Sequence, residues 1–340
     1  MKKRVTFADI AKYTGFSKTT ISRFFNNPDS LTLENQEIIQ KALKDLNYQE
    51  NKLGKILASG QSEFIGVLIP NLYLNYYAEM LDLILATYEK YGFKFIVFPG
   101  NSSAEADRKY IHELLAYQIE GLIVLSSSMP SQELAQLNIP VVAIEREAKA
   151  ISSVDTDNAV GGRLAAQRLL EDQCDFYIHI NVDVDPESPA YKRITSFEDY
   201  LKERNQTPAI YKCVSGNSYH ELQENFKSIF EDIESQFDPD KVKGVFLAND
   251  TYANLFLNQI IRKYGHLPDT YKLIGFDGTA ASAEAIVGIT TVAQKKEEMI
   301  EKAMDILLEQ IHQSKQRRPQ NPSAPVHIQV DPVLIARQTA

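Results

Sequence analysis

The alternation of short apolar runs with longer amphipathic stretches between Phe64 and Phe276 restricts this chain more than any other feature. FIGVLIP (64–70), FKFIVF (93–98), GLIVL (121–125) and VVAI (141–144) are short apolar runs, broken only by Lys94. This is the pattern of strands buried on both faces of a parallel sheet. Helical periodicity fills Tyr76 to Tyr91 and Ala104 to Tyr117 between them, so the block is expected to build right-handed βαβ units. After Gly161 and Gly162 the alternation restarts, with a helix to Leu170, strands at 176–182, 210–214, 244–248 and 272–276, and helices at 190–204, 219–235 and 251–264. Two doubly wound parallel-sheet α/β lobes are expected, with ligands gathered in a cleft at the carboxyl ends of their strands.

The first 48 residues follow a different, all-α pattern. In VTFADIAKYTGFSKTTISRFFNN (5–27) two short helical patterns flank a tight turn. Ala11, Gly15 and Ile21 stand where a helix-turn-helix needs a small contact residue, a turn glycine and a buried branched residue. Thr6 with Asp9 three residues on resembles a capping pair, Ser17 is placed to cap the second helix, and Thr32 to cap a third, Leu33 to Leu46. Ile21, Phe24 and Phe25 fall at i, i+3 and i+4 and should face inward, leaving Lys18, Thr19, Ser22, Arg23 and Asn26 outward. Arg and Lys address guanine O6 and N7, while Ser, Thr and Asn serve bases or phosphates. Double-stranded DNA is therefore the expected partner of this head, in preference to a small helical bundle with an ordinary solvated face.

Charge agrees with that division. Residues 1–61 hold 10 Lys and Arg against 6 Asp and Glu, net +4, so the remaining 279 residues carry −13 of the whole-chain −9. Only the head suits a polyanion. Cys174 and Cys213 show neither a CxxC nor a metal-type spacing and are expected as buried thiols. The amino terminus lacks an apolar export segment and no stretch reaches the length of a membrane span, so a cytoplasmic protein is expected. Between head and body, Gln49 to Gln61 (QENKLGKILASGQ) presents Leu53, Ile56 and Leu57 on one face of a short helix that Gly54 and Gly60 weaken. It reads as a hinge over 49–62 that folds when supported, with Leu57 as an apolar wedge at a minor-groove step, or as a plain linker.

The body lacks a GxGxxG after its first strand, a phosphate loop, a GxSxG and any histidine cluster among positions 112, 179, 220, 266, 312 and 327. No enzyme, cofactor or metal is expected. The strand ends instead offer Asn71, Tyr76 and Tyr77 after the first strand, Ser126 to Ser128 after the third, Glu145 and Arg146 after the fourth, and Asn249, Asp250 and Asp277 in the second lobe. Carboxylates, amides and an aromatic wall suit a polyhydroxylated ligand. Helix capping or a solvated loop is the ordinary alternative at each position taken singly.

On these residues the chain resembles the lactose/galactose-repressor family of bacterial transcription regulators along its whole length. Besides the head, the matching segments are NYQENKLGKILASGQSEFIGVLIP, IPVVAIER, VDTDNAVGG, GVFLANDTYAN, LIGFDG and ITTVAQ. The resemblance implies a body like the periplasmic binding proteins and a homodimer reading a pseudo-palindromic operator. Lys18, Thr19 and Arg23 would be the main base readers, with hinge contacts from Asn51, Leu57 and Ala58. It also implies a small effector, a sugar or sugar phosphate, contacting Tyr76, Tyr77, Glu145, Arg193, Asn249, Asp277 and Gln294, with Asn71 and Ser126 beside them. The function implied is repression of a carbohydrate-utilisation operon. A regulator controlled by a protein partner, or a stand-alone sugar-binding protein, are the alternatives. The chain would cross between lobes near Gly161, Val292 and Pro322. Lobe 1 would then span about 63–161 and 293–322, and lobe 2 about 162–292 and 323–340, with Val326 to Arg337 on the second lobe. No leucine heptad follows, so a dimer is expected. Departures from the family pattern are Gly54-Lys55 for Ala-Arg, Glu145 for Asp, Ser196 for a glycine, and FYIHINVDVDPES without a Gly-Gly ending.

Overall fold

The computed structural model describes residues 5–49, 61–100, 103–146, 148–213, 219–316 and 324–340. The chain divides into two compact units, Met1–Gln61 and Ser62–Ala340. Asn51, Leu57 and Ala58, most of the expected hinge, and Pro322 lie outside the described residues.

In the first unit, α1 (Phe7–Thr14), α2 (Lys18–Asn26) and α3 (Leu33–Asp45) close around Ile10, Ile21, Ile39 and Ala42, none of them exposed. Phe7 stacks on Phe25 at 5.1 Å between ring centres. The Asp9 carboxylate accepts from the Thr6 backbone N–H at 2.8 Å and from its hydroxyl at 2.7 Å. The N–H groups of Thr20 and Asn35 donate to the side chains of Ser17 (3.1 Å) and Thr32 (3.4 Å). Each helix therefore starts where a side chain meets an orphan amide or N-cap amide. Gly15, at φ 77°, ends α1 in the left-handed region that only glycine enters without strain.

In the second unit the first lobe holds β1 (Phe64–Ile69), α4 (Asn75–Ala86), α5 (Tyr88–Tyr91), β2 (Lys94–Pro99), α6 (Ala104–Ala116), β3 (Gly121–Leu125), α7 (Ser131–Leu134), β4 (Val141–Ile144) and β5 (Ser152–Thr156). The second lobe runs α8 (Asn158–Glu171), β6 (Phe176–Val182), α9 (Tyr191–Lys202), β7 (Ala209–Cys213), α10 (Tyr219–Gln236), β8 (Lys243–Leu247), α11 (Asp250–Tyr264), β9 (Tyr271–Asp277), α12 (Ala280–Glu284) and β10 (Thr290–Ala293). The chain then returns through α13 (Lys296–Ser314) and finishes as β11 (His327–Val330) and β12 (Val333–Ile335). Strand order is β11-β5-β4-β3-β1-β2 in one sheet and β12-β10-β9-β8-β6-β7 in the other. Pairing is parallel throughout except for β12 on β10.

Both faces of each sheet are covered, which is why the strands lack a polar alternation. On β1, Ile65, Val67 and Ile69 face Met80 and Ile84 of α4 and Met299 and Met304 of α13, while Leu68 packs with Ile111 and Leu114 of α6. On the second sheet, Val245 and Leu247 meet Phe226 and Phe256, while Phe246 and Phe276 meet Leu169 and Phe197. Burial holds His179, inside that layer, neutral with a pKa of about 3. The two cysteines are buried thiols, and burial raises both, Cys174 to about 12 and Cys213 to about 11. Ser196, the expected glycine on α9, is accommodated from the other side. Gly162 of α8 lies so close that a Cβ there would come 2.4 Å from the Arg193 carbonyl oxygen.

Three expectations are corrected. The helix from Tyr76 to Tyr91 is two helices, because the chain breaks at Thr87, whose hydroxyl donates back to the Ile84 carbonyl at 2.6 Å. The third crossing falls at Asp331 and Pro332 instead of near Pro322, since His327–Val330 pairs with Ser153–Thr156 in the first sheet and only Val333–Ile335 joins the second. Val326 to Arg337 is therefore shared between the lobes: four residues are enough for an edge strand, too short to announce its sheet. The first crossing lies at Asp157, between β5 and α8, slightly before Gly161. Among the described residues no helix is long and apolar enough to cross a membrane.

Candidate functional site

On the head, Lys18, Thr19, Arg23 and Asn26 are exposed along α2, while Phe24 and Phe25 are half-buried against the core. Ser22 is half-buried and accepts from the Asn26 amide at 3.1 Å. The outward face thus consists of cationic and hydrogen-bonding groups on a short, well-capped helix. Thr6, Ser17 and Thr32 stand at helix starts, where free amides also suit phosphate oxygens.

The body encloses a cleft of about 750 Å³ between the carboxyl ends of the two sets of strands. Of the expected effector residues, Tyr76, Tyr77, Ser126, Glu145, Arg193, Asn249, Asp277 and Gln294 line it. Asn71 does not: its side chain accepts the Leu74 N–H at 3.2 Å, closing the loop before α4. Asn249 lines the cleft and also caps α11 by accepting from the Tyr252 N–H at 2.9 Å, so the capping alternative holds there as well. Asp250 is turned away, fully buried, with its carboxylate taken by the Thr279 N–H (2.6 Å) and the Thr291 hydroxyl (2.6 Å).

The floor is a hydrogen-bonded chain that runs from lobe to lobe. Glu145 accepts from the Thr156 N–H and, at 3.2 Å, from the Asn158 amide. The Asn158 carbonyl in turn accepts from Arg193 Nη2 at 2.7 Å and Nε at 3.1 Å. Arg193 Nη1 donates to the Ala248 carbonyl, and its guanidinium lies 3.4 Å from the centre of the Phe276 ring. A parallel chain joins the Thr156 hydroxyl to Gln294 Oε1 and Gln294 Nε2 to Asp277, each at 2.7 Å. Asn158, Thr156 and Asn181 are site residues that residue-by-residue reading missed. Asn158 lies inside the quoted VDTDNAVGG, yet its position directly after a capping Asp157 makes it look like an ordinary helix start.

Three floor residues hold their backbones in the left-handed region without being glycine: Ser126 (φ 42°), Glu145 (φ 51°) and Asp277 (φ 94°). Each ends a parallel strand. Conformations of this kind cost of order 1–3 kcal/mol apiece and persist where surrounding structure over-determines them. Here they aim three polar side chains into one space. Burial pushes the Asp277 carboxyl up to about 6, against the pull of the Arg193 charge. Burial lowers Arg193 from its ordinary value, with Asp277 and Glu145 opposing. Burial raises Tyr77 to about 12, with the hydrogen bond to Ser126 opposing, and raises Tyr76 well above its ordinary value. The Tyr76 hydroxyl is buried with no hydrogen-bond partner, a polar atom that a ligand could satisfy. Among the described residues no cluster of His, Cys, Asp or Glu is arranged to hold a metal ion.

A basic helix-turn-helix joined to a two-lobed body with a polar cleft defines a ligand-responsive DNA-binding protein. Residues 6–51 match the bacterial regulatory proteins of the lacI family, and residues 65–315 match the periplasmic binding protein domain. The chain belongs to the lacI family of bacterial transcription regulators. It is 28% identical over 309 residues to the ribose operon repressor of Halalkalibacterium halodurans, covering 90% of both chains. It is 28% identical over 305 residues to the sucrose operon repressor of Streptococcus mutans, covering 89% of this chain and 92% of that one. Its fold matches the crystal structure of the Lac repressor dimer bound to operator and the anti-inducer ONPF with a TM-score of 0.83, at 22% identity and 99% coverage of both chains.

Proposed function

We propose that the protein is a homodimeric repressor of a carbohydrate-utilisation operon, acting in the cytoplasm without a catalytic step, whose operator affinity is set by a small sugar in the cleft. Lys18, Thr19 and Arg23 read bases in the major groove. Ser17, Ser22, Asn26, Thr6 and Thr32 hold phosphates, and Asn51, Leu57 and Ala58 engage the minor groove. The observation that carries the effector reading is the cleft floor, where buried Arg193, Glu145 and Asp277 converge on the unpartnered Tyr76 hydroxyl. A polyol supplies donors and acceptors to all four. Because the Glu145–Asn158–Arg193 chain spans both lobes, a ligand that inserts into it favours one lobe arrangement over another, and that differential affinity is what changes operator binding. The names of the ribose and sucrose operon relatives support the sugar class.

The test starts with operator DNA selected by the full-length chain from a random pool, followed by anisotropy titrations with and without each of a panel of pentoses, hexoses and disaccharides. At least one sugar is expected to change the operator dissociation constant by roughly 5- to 150-fold, the usual span of allosteric coupling. Sugars that alter neither operator affinity nor the melting temperature of the protein would overturn the reading.

A further inference from the structure

We propose that the cleft selects an uncharged sugar over its phosphate ester, and that Glu187 helps set this selectivity by occupying Lys149. The inference rests on the sugar-effector reading above and narrows it to one chemical class. A phosphate needs cations or helix amides with capacity to spare. Among the described residues lining the cleft the cations are Arg146, Lys149 and Arg193, and each already makes a hydrogen bond or an ion pair. All three nitrogens of the Arg193 guanidinium donate to Asn158 or Ala248. Arg146 is buried, with Nη2 donating to the Met129 carbonyl at 2.6 Å and Nη1, though it makes no hydrogen bond, closed off from solvent. Lys149, from the loop between β4 and β5, pairs with Glu187 from the loop between β6 and α9, across the cleft mouth.

The helix starts around the cleft are equally occupied. Asp157 accepts the Ala159 and Val160 amides at the head of α8. Asn249 accepts the Tyr252 amide of α11. At α9 the amides of Tyr191, Lys192 and Arg193 donate to the carbonyls of Ser188, Pro189 and Ala190. Against these three cations stand five carboxylates: Glu145 and Asp277 buried on the floor, and Asp183, Asp185 and Glu187 at the mouth. A sugar hydroxyl donates to a carboxylate, whereas a phosphate dianion placed beside buried Glu145 and Asp277 meets like charge where solvent screens it least. Glu187 matters for the same reason: Glu187→Gln releases Lys149, a cation at the mouth, to meet a phosphate.

The test is calorimetry on the full-length chain with matched pairs, namely ribose and ribose 5-phosphate, fructose and fructose 6-phosphate, glucose and glucose 6-phosphate, and sucrose and sucrose 6-phosphate. In whichever pair binds, the uncharged member is expected to bind at least ~10-fold tighter. Glu187→Gln is expected to narrow that ratio by about 3-fold at low salt, with the narrowing lost at high salt, as suits an exposed pair. A phosphate ester that binds as tightly as its parent sugar overturns the selectivity and leaves the sugar-effector reading standing. Heat from neither member of any pair overturns both. A ratio indifferent to Glu187→Gln removes that residue from the mechanism.

Discussion

In the head, Lys18, Thr19 and Arg23 stand exposed on α2, whereas in the cleft Arg193, Asn158, Glu145 and Gln294 are buried and hydrogen-bonded to one another. The head presents a surface that is complete before its partner arrives: capped and solvated. The cleft presents a network that a ligand must partly replace. Replacing buried hydrogen bonds is costly unless every bond is remade, so binding there reorganises its surroundings, and binding at the head need not. A sensor suits the first condition of the cleft, and a reader suits that of the head.

The strongest break in this contrast is Arg193→Ala. It removes a buried cation from between Glu145 and Asp277 and is expected to lower affinity for a sugar effector by at least ~100-fold, while operator binding without effector is retained. Calorimetry and operator titration on one preparation check it, and a normal effector response would remove Arg193 from the site. Next in size is Arg23→Ala, expected to lose about 1–3 kcal/mol of operator binding with sugar affinity unchanged. An unaltered ratio of operator to nonspecific affinity would count against base reading. The smallest and sharpest is Tyr76→Phe. Deleting a buried hydroxyl that has no partner is expected to leave the ligand-free melting temperature the same or slightly higher, yet to weaken effector binding by about 0.5–1.5 kcal/mol. A drop in ligand-free stability would mean that the hydroxyl is satisfied before the ligand binds.

How much of the molecule was legible follows the strength of local signals. The runs FIGVLIP and GLIVL announce β1 and β3, because a strand buried on both faces must be apolar throughout. SSVDT forms β5 with a single apolar residue, TTVA forms β10 in only four residues, and HIQV forms an edge strand, so each is too polar or too short to stand out from loop. At the head, capping residues and a turn glycine are short-range devices and were readable in order. At the cleft, Asn71 and Asn249 show the limit: both follow strands, both accept a backbone N–H three residues on, and only one also lines the cavity.

By itself the sequence determined two lobes of alternating strands and helices, a basic three-helix head, and the polar strand ends where a ligand would be sought. These depend on periodicity, capping and charge, which act over a few residues. Tertiary structure alone decided that Asn158 links Glu145 to Arg193, that Lys149 pairs with Glu187, that the last crossing falls at Asp331 and Pro332, and that the Tyr76 hydroxyl is left without a partner. Each of these joins residues far apart along the chain, and which buried polar group meets which is settled only when the sheets and helices have packed.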